Sequence, residues 1–394
     1  MAQTVRWTVA VVAALALSAG GLMAADAAPA PAAAAGIVNP NSKQLRCLAE
    51  KPTGPRFKLP ADRVWPAKPG EADVCLWDGD RFAAMSITID DNWTPDHPFW
   101  SDAGKKTGLR FTWFVVTDNI RPNSFGGTWD DWKKLRDLGH DVQSHTVTHL
   151  SGKLEVEPEY RDSIAAIEKN LPGAKVLTLA YPGGTKLQND RALAAKYYAA
   201  ARGGVGTPNK ANQIDYLMTS SVGAKIDRSV TDAVLLGTSP IPWMSNKQHL
   251  RSWLCVHFHG VMVLNAKTEE EKKAPYAGVL ADLQYIKSQE ADLWFATFRE
   301  VVLYGQERDT ARLTVTGSAA REIRFTLTDD MDDAIFDFPL TVKVRLPDDW
   351  AGASATQAGK ATEAKVVTHE GAKFALVKAV PDRGEVVLVP REGK

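Results

Sequence analysis

The stretch Ala83-Ala84-Met85-Ser86-Ile87-Thr88-Ile89-Asp90-Asp91 decides the fold. It is apolar or small up to Ile89 and holds no Gly or Pro, the signature of a strand buried on both faces. It then ends abruptly in two carboxylates. Such a pair at the end of an apolar run is costly to bury unless it holds a cation or a proton. Reading outward, strands and helices alternate. Residues 99–107 are predicted helical, and Arg110-Phe111-Thr112-Trp113-Phe114-Val115-Val116 reads as a strand. Thr128 starts a helix with Trp129, Trp132 and Leu135 at helical spacing and Gly139 as its stop. His140-Asp141-Val142-Gln143-Ser144 is a short strand. Helix 158–171, strand 175–181, helix 190–201, strand 253–258, helix 276–289, strand 292–297 and a helix over 298–305 follow. This alternation predicts a parallel sheet with crossover helices. So many units in this length predict an α/β fold, a distorted (β/α) barrel of about seven units, whose working residues lie at the C-terminal ends of its strands.

From Arg312 the texture changes to short alternating strands: 312–316, 323–327, 340–346, 374–377 and 385–389. They predict a small all-β, sandwich-like domain. Within it, Asp329-Asp330-Met331-Asp332-Asp333 lacks the ligand spacing of a calcium loop and reads as a solvated β-turn. At the other end, Arg6 precedes an apolar run from Trp7 to Ala24 and the small residues Ala25-Asp26-Ala27. That is the pattern of a secretory signal peptide, with an uncleaved anchor as the alternative. The expected organisation is a signal peptide over 1–27, a leader and extension over 28–80, the barrel over 81–305 and the β-domain over 310–392. The expected location is secreted or periplasmic. No later segment is long and apolar enough to span a membrane.

The 394 residues are 44% apolar and 24% charged, an ordinary globular balance. The 47 basic residues match 47 acidic ones, and no dense basic run offers a nucleic-acid surface. Three cysteines make neither a disulfide framework nor a cysteine zinc site, although export would permit a Cys47–Cys75 bridge. Cys255, in a strand-like run, reads as an ordinary buried thiol.

The chemistry lies at the strand ends. Asp90 and Asp91 follow the first strand. His145-Thr146-Val147-Thr148-His149 follows another, and histidines at i and i+4 share one helical face and can grip one metal. His257-Phe258-His259-Gly260 closes a late strand, with both imidazoles on one side of it. A barrel brings such ends together. Trp93 and Tyr181 are candidate substrate-binding aromatics, while Trp113, Trp129 and Trp132 read as core.

These motifs resemble those of the polysaccharide deacetylase family, the NodB-homology domain of carbohydrate esterase family four. Thr88-Ile89-Asp90-Asp91-Asn92 resembles its first motif and His145 to His149 its second. Ala180-Tyr181-Pro182-Gly183-Gly184 resembles the third, and the strand from Trp253 to His259 the last. The resemblance covers about residues 80–305. It implies that Asp91, His145 and His149 hold a divalent metal, usually Zn2+, and that Asp90 is the general base. It implies too that the Gly183 N–H meets the oxyanion and that a strand-end histidine protonates the leaving group. His259, nearer the strand's C-terminal end, is the expected proton donor. The implied substrate is an acetylated glycan. A non-glycan C–N hydrolase and an inactive glycan-binding protein are the alternatives. Two departures stand out. Asn92 occupies a usual Gly position, and Ala180 replaces the arginine that in the family helps hold the base. Arg202 is a candidate substitute and, with Trp93 and Tyr181, a candidate substrate-binding residue. Asp215 and Asp227 are candidates for the acidic partner of the catalytic histidine.

Overall fold

The computed structural model describes residues 44–122, 124–150, 155–184 and 190–391. The residues before 44, where a signal peptide and the start of a leader were expected, lie outside it. Strand β1 (Ala72–Val74) belongs to the C-terminal sheets. Strand β2 (Ala83–Asp90) opens the barrel, followed by β3 (Thr112–Val115), β4 (Asp141–Ser144), β5 (Thr178–Ala180), β6 (Ala200–Val205), β7 (Thr219–Gly223) and β8 (Trp253–Phe258). Each pairs in parallel with the next, and β2 pairs with both β8 and β3, so seven strands close on themselves. β9 (Leu293–Phe295) pairs with β2 through Ala83–Met85, while β3 takes the C-terminal part, Thr88–Asp90. The same flank of β2 therefore serves two neighbours. This is the distortion expected of the barrel.

All of β2 is buried, yet its residues alternate in kind. Ala83, Met85, Ile87 and Ile89 face outward into a shell with Trp100, Trp113 and Trp132. Ala84, Ser86, Thr88 and Asp90 occupy the opposite face, and Ala84 packs with Phe114, Trp253, Cys255 and Phe298. The Trp253 Nε1–H donates to Ser86 Oγ (3.1 Å), and the Phe298 N–H donates to Thr112 Oγ1 (2.9 Å), so aromatic rings and hydroxyls fill the barrel. Polarity rises toward Asp90, and the chemistry sits at that end. Cys255 is buried in this interior, where burial pushes its thiol up to about 12, as suits an inert residue.

Trp113, on the outer face, meets His97, Trp100 and Trp132 edge-on. Trp113→Ala removes one of the largest buried side chains in the shell. It should cost about 3–5 kcal/mol, read as a lower midpoint in chemical denaturation.

The β-domain is a pair of antiparallel sheets. Its strands are β10 (Arg312–Ala319), β11 (Glu322–Thr328), β12 (Leu340–Arg345), β13 (Gly352–Gln357), β14 (Lys360–Thr362), β15 (Ala364–His369), β16 (Ala372–Ala379) and β17 (Val386–Arg391). One sheet runs β1-β12-β16-β15 and the other β10-β11-β17-β13-β14. Helix Phe298–Thr310 buries Val301, Val302 and Tyr304 in one core with Ile323, Phe325, Leu340 and Val342 of these sheets.

Several expectations need correction. The helix predicted over 190–201 stops at Tyr197, and Ala200 already belongs to β6. Cys47 and Cys75 are free. Cys47 packs in the shell around the barrel, whereas Cys75 lies beside β12, its N–H donating to Thr341 O (2.8 Å). The Asp329–Asp333 segment is not a solvated turn, because Asp329 and Asp333 are buried. Among the described residues, no helix is long and apolar enough to cross a membrane.

Candidate metal centre and active site

Asp91, His145 and His149 meet in a cleft of about 480 Å3 at the C-terminal ends of the barrel strands. The Nε2 atoms of His145 and His149 each lie 3.4 Å from Asp91 Oδ1. Three donors bonded at about 2.0–2.1 Å to one tetrahedral zinc would stand roughly 3.3 Å apart. The second imidazole nitrogen of His145 decides the tautomer. Its Nδ1 lies 2.7 Å from Ala180 O, and a carbonyl only accepts, so Nδ1 carries the proton and Nε2 offers its lone pair. The donor set therefore fits a divalent metal.

The two histidines do not share a helical face, as their spacing had suggested. The segment from His145 to His149 is a loop in which Thr146 (φ 71°) and His149 (φ 63°) take left-handed backbone. Glu159, buried on helix Val156–Asn170, holds this loop. Its Oε2 accepts from the N–H groups of Val147 (2.9 Å) and Thr148 (2.8 Å), and its Oε1 accepts from the Thr148 hydroxyl (2.8 Å). On the opposite ligand, Asp91 and Asn92 also have positive φ, 61° and 58°. Asn tolerates that region better than most residues. Asn92 also ties the turn to the end of β3: Oδ1 accepts from Val116 N–H (2.7 Å) and Nδ2 donates to Val116 O (3.2 Å). The substitution of the usual Gly thus carries its own compensation.

Electrostatics agree with the geometry. Burial opposes ionisation of Asp91, but the hydrogen bond and charge of His145, with His149 and His259 behind it, hold its carboxyl well below the usual range. Burial alone would lower His145, yet Asp91 and Asp90 raise it. His149 is lowered, first by burial and then by His145.

Asp90 is 3% exposed and Arg202, from β6, is 4% exposed. Arg202 Nη2 donates to Asp90 Oδ2, and its Nη1 donates to Ser221 Oγ (3.2 Å). The guanidinium also lies over the Phe114 ring, 5.6 Å from its centroid. Arg202 thus reaches Asp90 from β6, where it pairs with Ala180 of β5. Arg202 also lines the cleft, its guanidinium engaged by Asp90 and Ser221. Ser221 was not singled out by sequence. Its Oγ also lies 2.9 Å from His257 Nδ1, linking buried Asp90, Arg202 and Ser221 to the half-buried His257. Burial, with Arg202 second, pushes His257 down to about 4.

His259 stands apart. Its side chain is 53% exposed, and its Nε2 lies 3.5 Å from Asp91 Oδ2, the oxygen turned away from the other histidines. Asp215 pairs with Arg191, and Asp227 caps helix Arg228–Leu236 by accepting from Ser229 N–H (2.8 Å). Neither of the two lines the cleft. Gly183 and Gly184, with positive φ, line the cleft, and so does Tyr181, whose ring is buried and whose hydroxyl donates to Leu217 O (3.1 Å). Trp93 lies outside the cleft lining, edge-on to Phe125 at 5.0 Å.

Residues 80–201 match the family model described as polysaccharide deacetylase. Along 373 residues the chain is 36% identical to a gellan lyase from a Bacillus species, covering 90% of this chain. The chain spans about 15% of the length of that relative. A family 4 carbohydrate esterase from Streptomyces lividans, solved with acetate, is 19% identical, with 54% of this chain and 92% of that one covered and a TM-score of 0.35. A peptidoglycan deacetylase from Bacillus subtilis is 14% identical over 57% of this chain and 92% of that one, with a TM-score of 0.36.

Proposed function

We propose that the chain, whose residues 80–201 match the polysaccharide deacetylase family model, is a divalent-metal hydrolase that removes N- or O-linked acetyl groups from an extracytoplasmic polysaccharide. The observation that carries this reading is the convergence of Asp91, His145 and His149 in one cleft beside a buried Asp90–Arg202 pair. Asp91, His145 and His149 would hold a zinc ion, which would supply Lewis acidity toward the acetyl carbonyl and the attacking water.

The chain's own groups do the rest. Asp90, fixed by Arg202, takes a proton from the attacking water. The backbone N–H of Gly183 faces the developing oxyanion. His259, solvent-open at the rim, delivers a proton to the departing nitrogen or oxygen. Tyr181 shapes the cleft floor, and Trp93 stacks on a sugar ring outside it. Ser221 behind His257 favours a second reading in which His257 is the proton donor, since a catalytic imidazole needs a partner to orient it. Against this, burial, with Arg202 second, lowers His257 and disfavours its imidazolium form.

Acetate release from a panel of acetylated glycans tests the activity. Release from at least one substrate is expected, and retained glycan binding with no release from any would favour a binding protein. On that substrate His259→Ala should lower kcat by about 10²-fold or more while His257→Ala has the smaller effect. The reverse order would move the proton donor to His257.

A further inference from the structure

We propose that Asp96 is a positioning residue for His259: its buried carboxylate holds the backbone that carries this imidazole at the rim of the cleft. The inference rests on the reading of His259 as the proton donor. Asp96 stands at the N-cap of helix His97–Thr107, where an Asp side chain ordinarily accepts from the first helical N–H groups. Here the side chain makes no such bond. It is fully buried and turns its oxygens to a distant part of the chain. Oδ2 accepts from Val261 N–H (2.6 Å) and Oδ1 from Met262 N–H (3.3 Å), donors 165 and 166 residues away. The hydroxyl of Tyr276, on helix Pro275–Ser288, also donates to Oδ1 (2.6 Å). Tyr276 is itself fixed, its ring stacked on Phe99 with centroids 4.3 Å apart.

A second contact holds the same segment. The six-membered ring of Trp93 occupies the space that a Cβ on residue 260 would fill, so this close approach requires Gly260. Gly260, Val261 and Met262 follow His259 directly, and Trp93 and Asp96 follow Asp91 in the loop after β2. The loop that carries Asp91 thus also clamps the residues behind His259.

His259 needs such a hold. Its side chain is 53% exposed. An imidazole so open to solvent takes its place from its backbone, and a misplacement of about 1 Å can cost about 10²-fold in rate. Without the Asp96 carboxylate, two backbone N–H groups would lose their acceptor, which favours another path for the chain after His259. Asp96 does not line the cleft, so it acts through His259.

The test compares Asp96→Asn, His259→Ala and the double variant in the zinc-loaded full chain. Asn keeps the size but sets an amide N–H2 against a donor. In Asp96→Asn, kcat should fall at least about tenfold, with KM within about twofold and one zinc per chain retained. The double variant should be no slower than His259→Ala, because a residue that acts through His259 then has nothing to position. The His259 imidazole NMR resonance, assigned by its loss in His259→Ala, should shift or broaden in Asp96→Asn while those of His145 and His149 stay in place. Full kcat in Asp96→Asn, single effects that multiply in the double variant, or zinc lost together with kcat would overturn the proposal. So would an unmoved His259 resonance. Normal turnover in His259→Ala, or no acetate release by the wild-type protein, would fail the underlying reading, and the resonance then decides on Asp96. Should Asp96→Asn not fold, Tyr276→Phe, which removes one hydroxyl from Oδ1, is read by the same measurements.

Discussion

His145→Ala is expected to abolish zinc binding and acetate release together. His145 is the buried member of the triad, fixed by Ala180 O on one side and facing Asp91 on the other. Its removal leaves only Asp91 and His149 of the three donors, both partly exposed. Lewis-acid stabilisation is worth several kcal/mol, and about 4 kcal/mol corresponds to a rate factor on the order of 10³. Turnover should therefore fall by about 10³-fold or more, and metal analysis of the dialysed variant should find the zinc missing. A variant that retained stoichiometric zinc would remove His145 from the centre.

Asp90→Asn is expected to separate the two properties. Asn keeps the shape but cannot accept the water's proton, so zinc content should be unchanged while kcat falls by about 10²–10⁴-fold. Normal turnover would exclude Asp90 as the base. Arg202 acts through Asp90 and is a positioning residue. Arg202→Ala strands a carboxylate in a buried site, which favours its protonated form. The acid limb of kcat/KM should move to higher pH, with activity partly recovered on the alkaline side. A uniformly depressed profile with no such movement would mean that Arg202 serves the fold alone.

These residues differ in how far sequence exposed them. β2 was legible because an apolar run stops at two carboxylates, and the histidine pair because its spacing is tight. The spacing nonetheless pointed to a helix, whereas the ligands converge through left-handed loop residues held by Glu159. That hold joins residues 147 and 148 to residue 159 through a side chain, which no periodicity records. β6 was read as a helix tail because Ala199, Ala200 and Ala201 favour helix, and because Gly203 and Gly204 carry no strand signal. Tertiary pairing on both flanks, with β5 and β7, overrides that preference. Arg202 could be named as a substitute only by its kind, since its partner lies 112 residues away. Ser221 stayed hidden for the same reason, 36 residues from His257. β1 was missed because its pairing with β12 reaches across the whole barrel.

The central claim is that acetate release depends on one metal held by Asp91, His145 and His149. Titrating zinc into chelator-treated protein while acetate release is followed tests it most directly. The account predicts negligible release without metal, recovery that saturates at one zinc per chain, and no recovery with calcium. Metal-free protein that releases acetate at the full rate would contradict it.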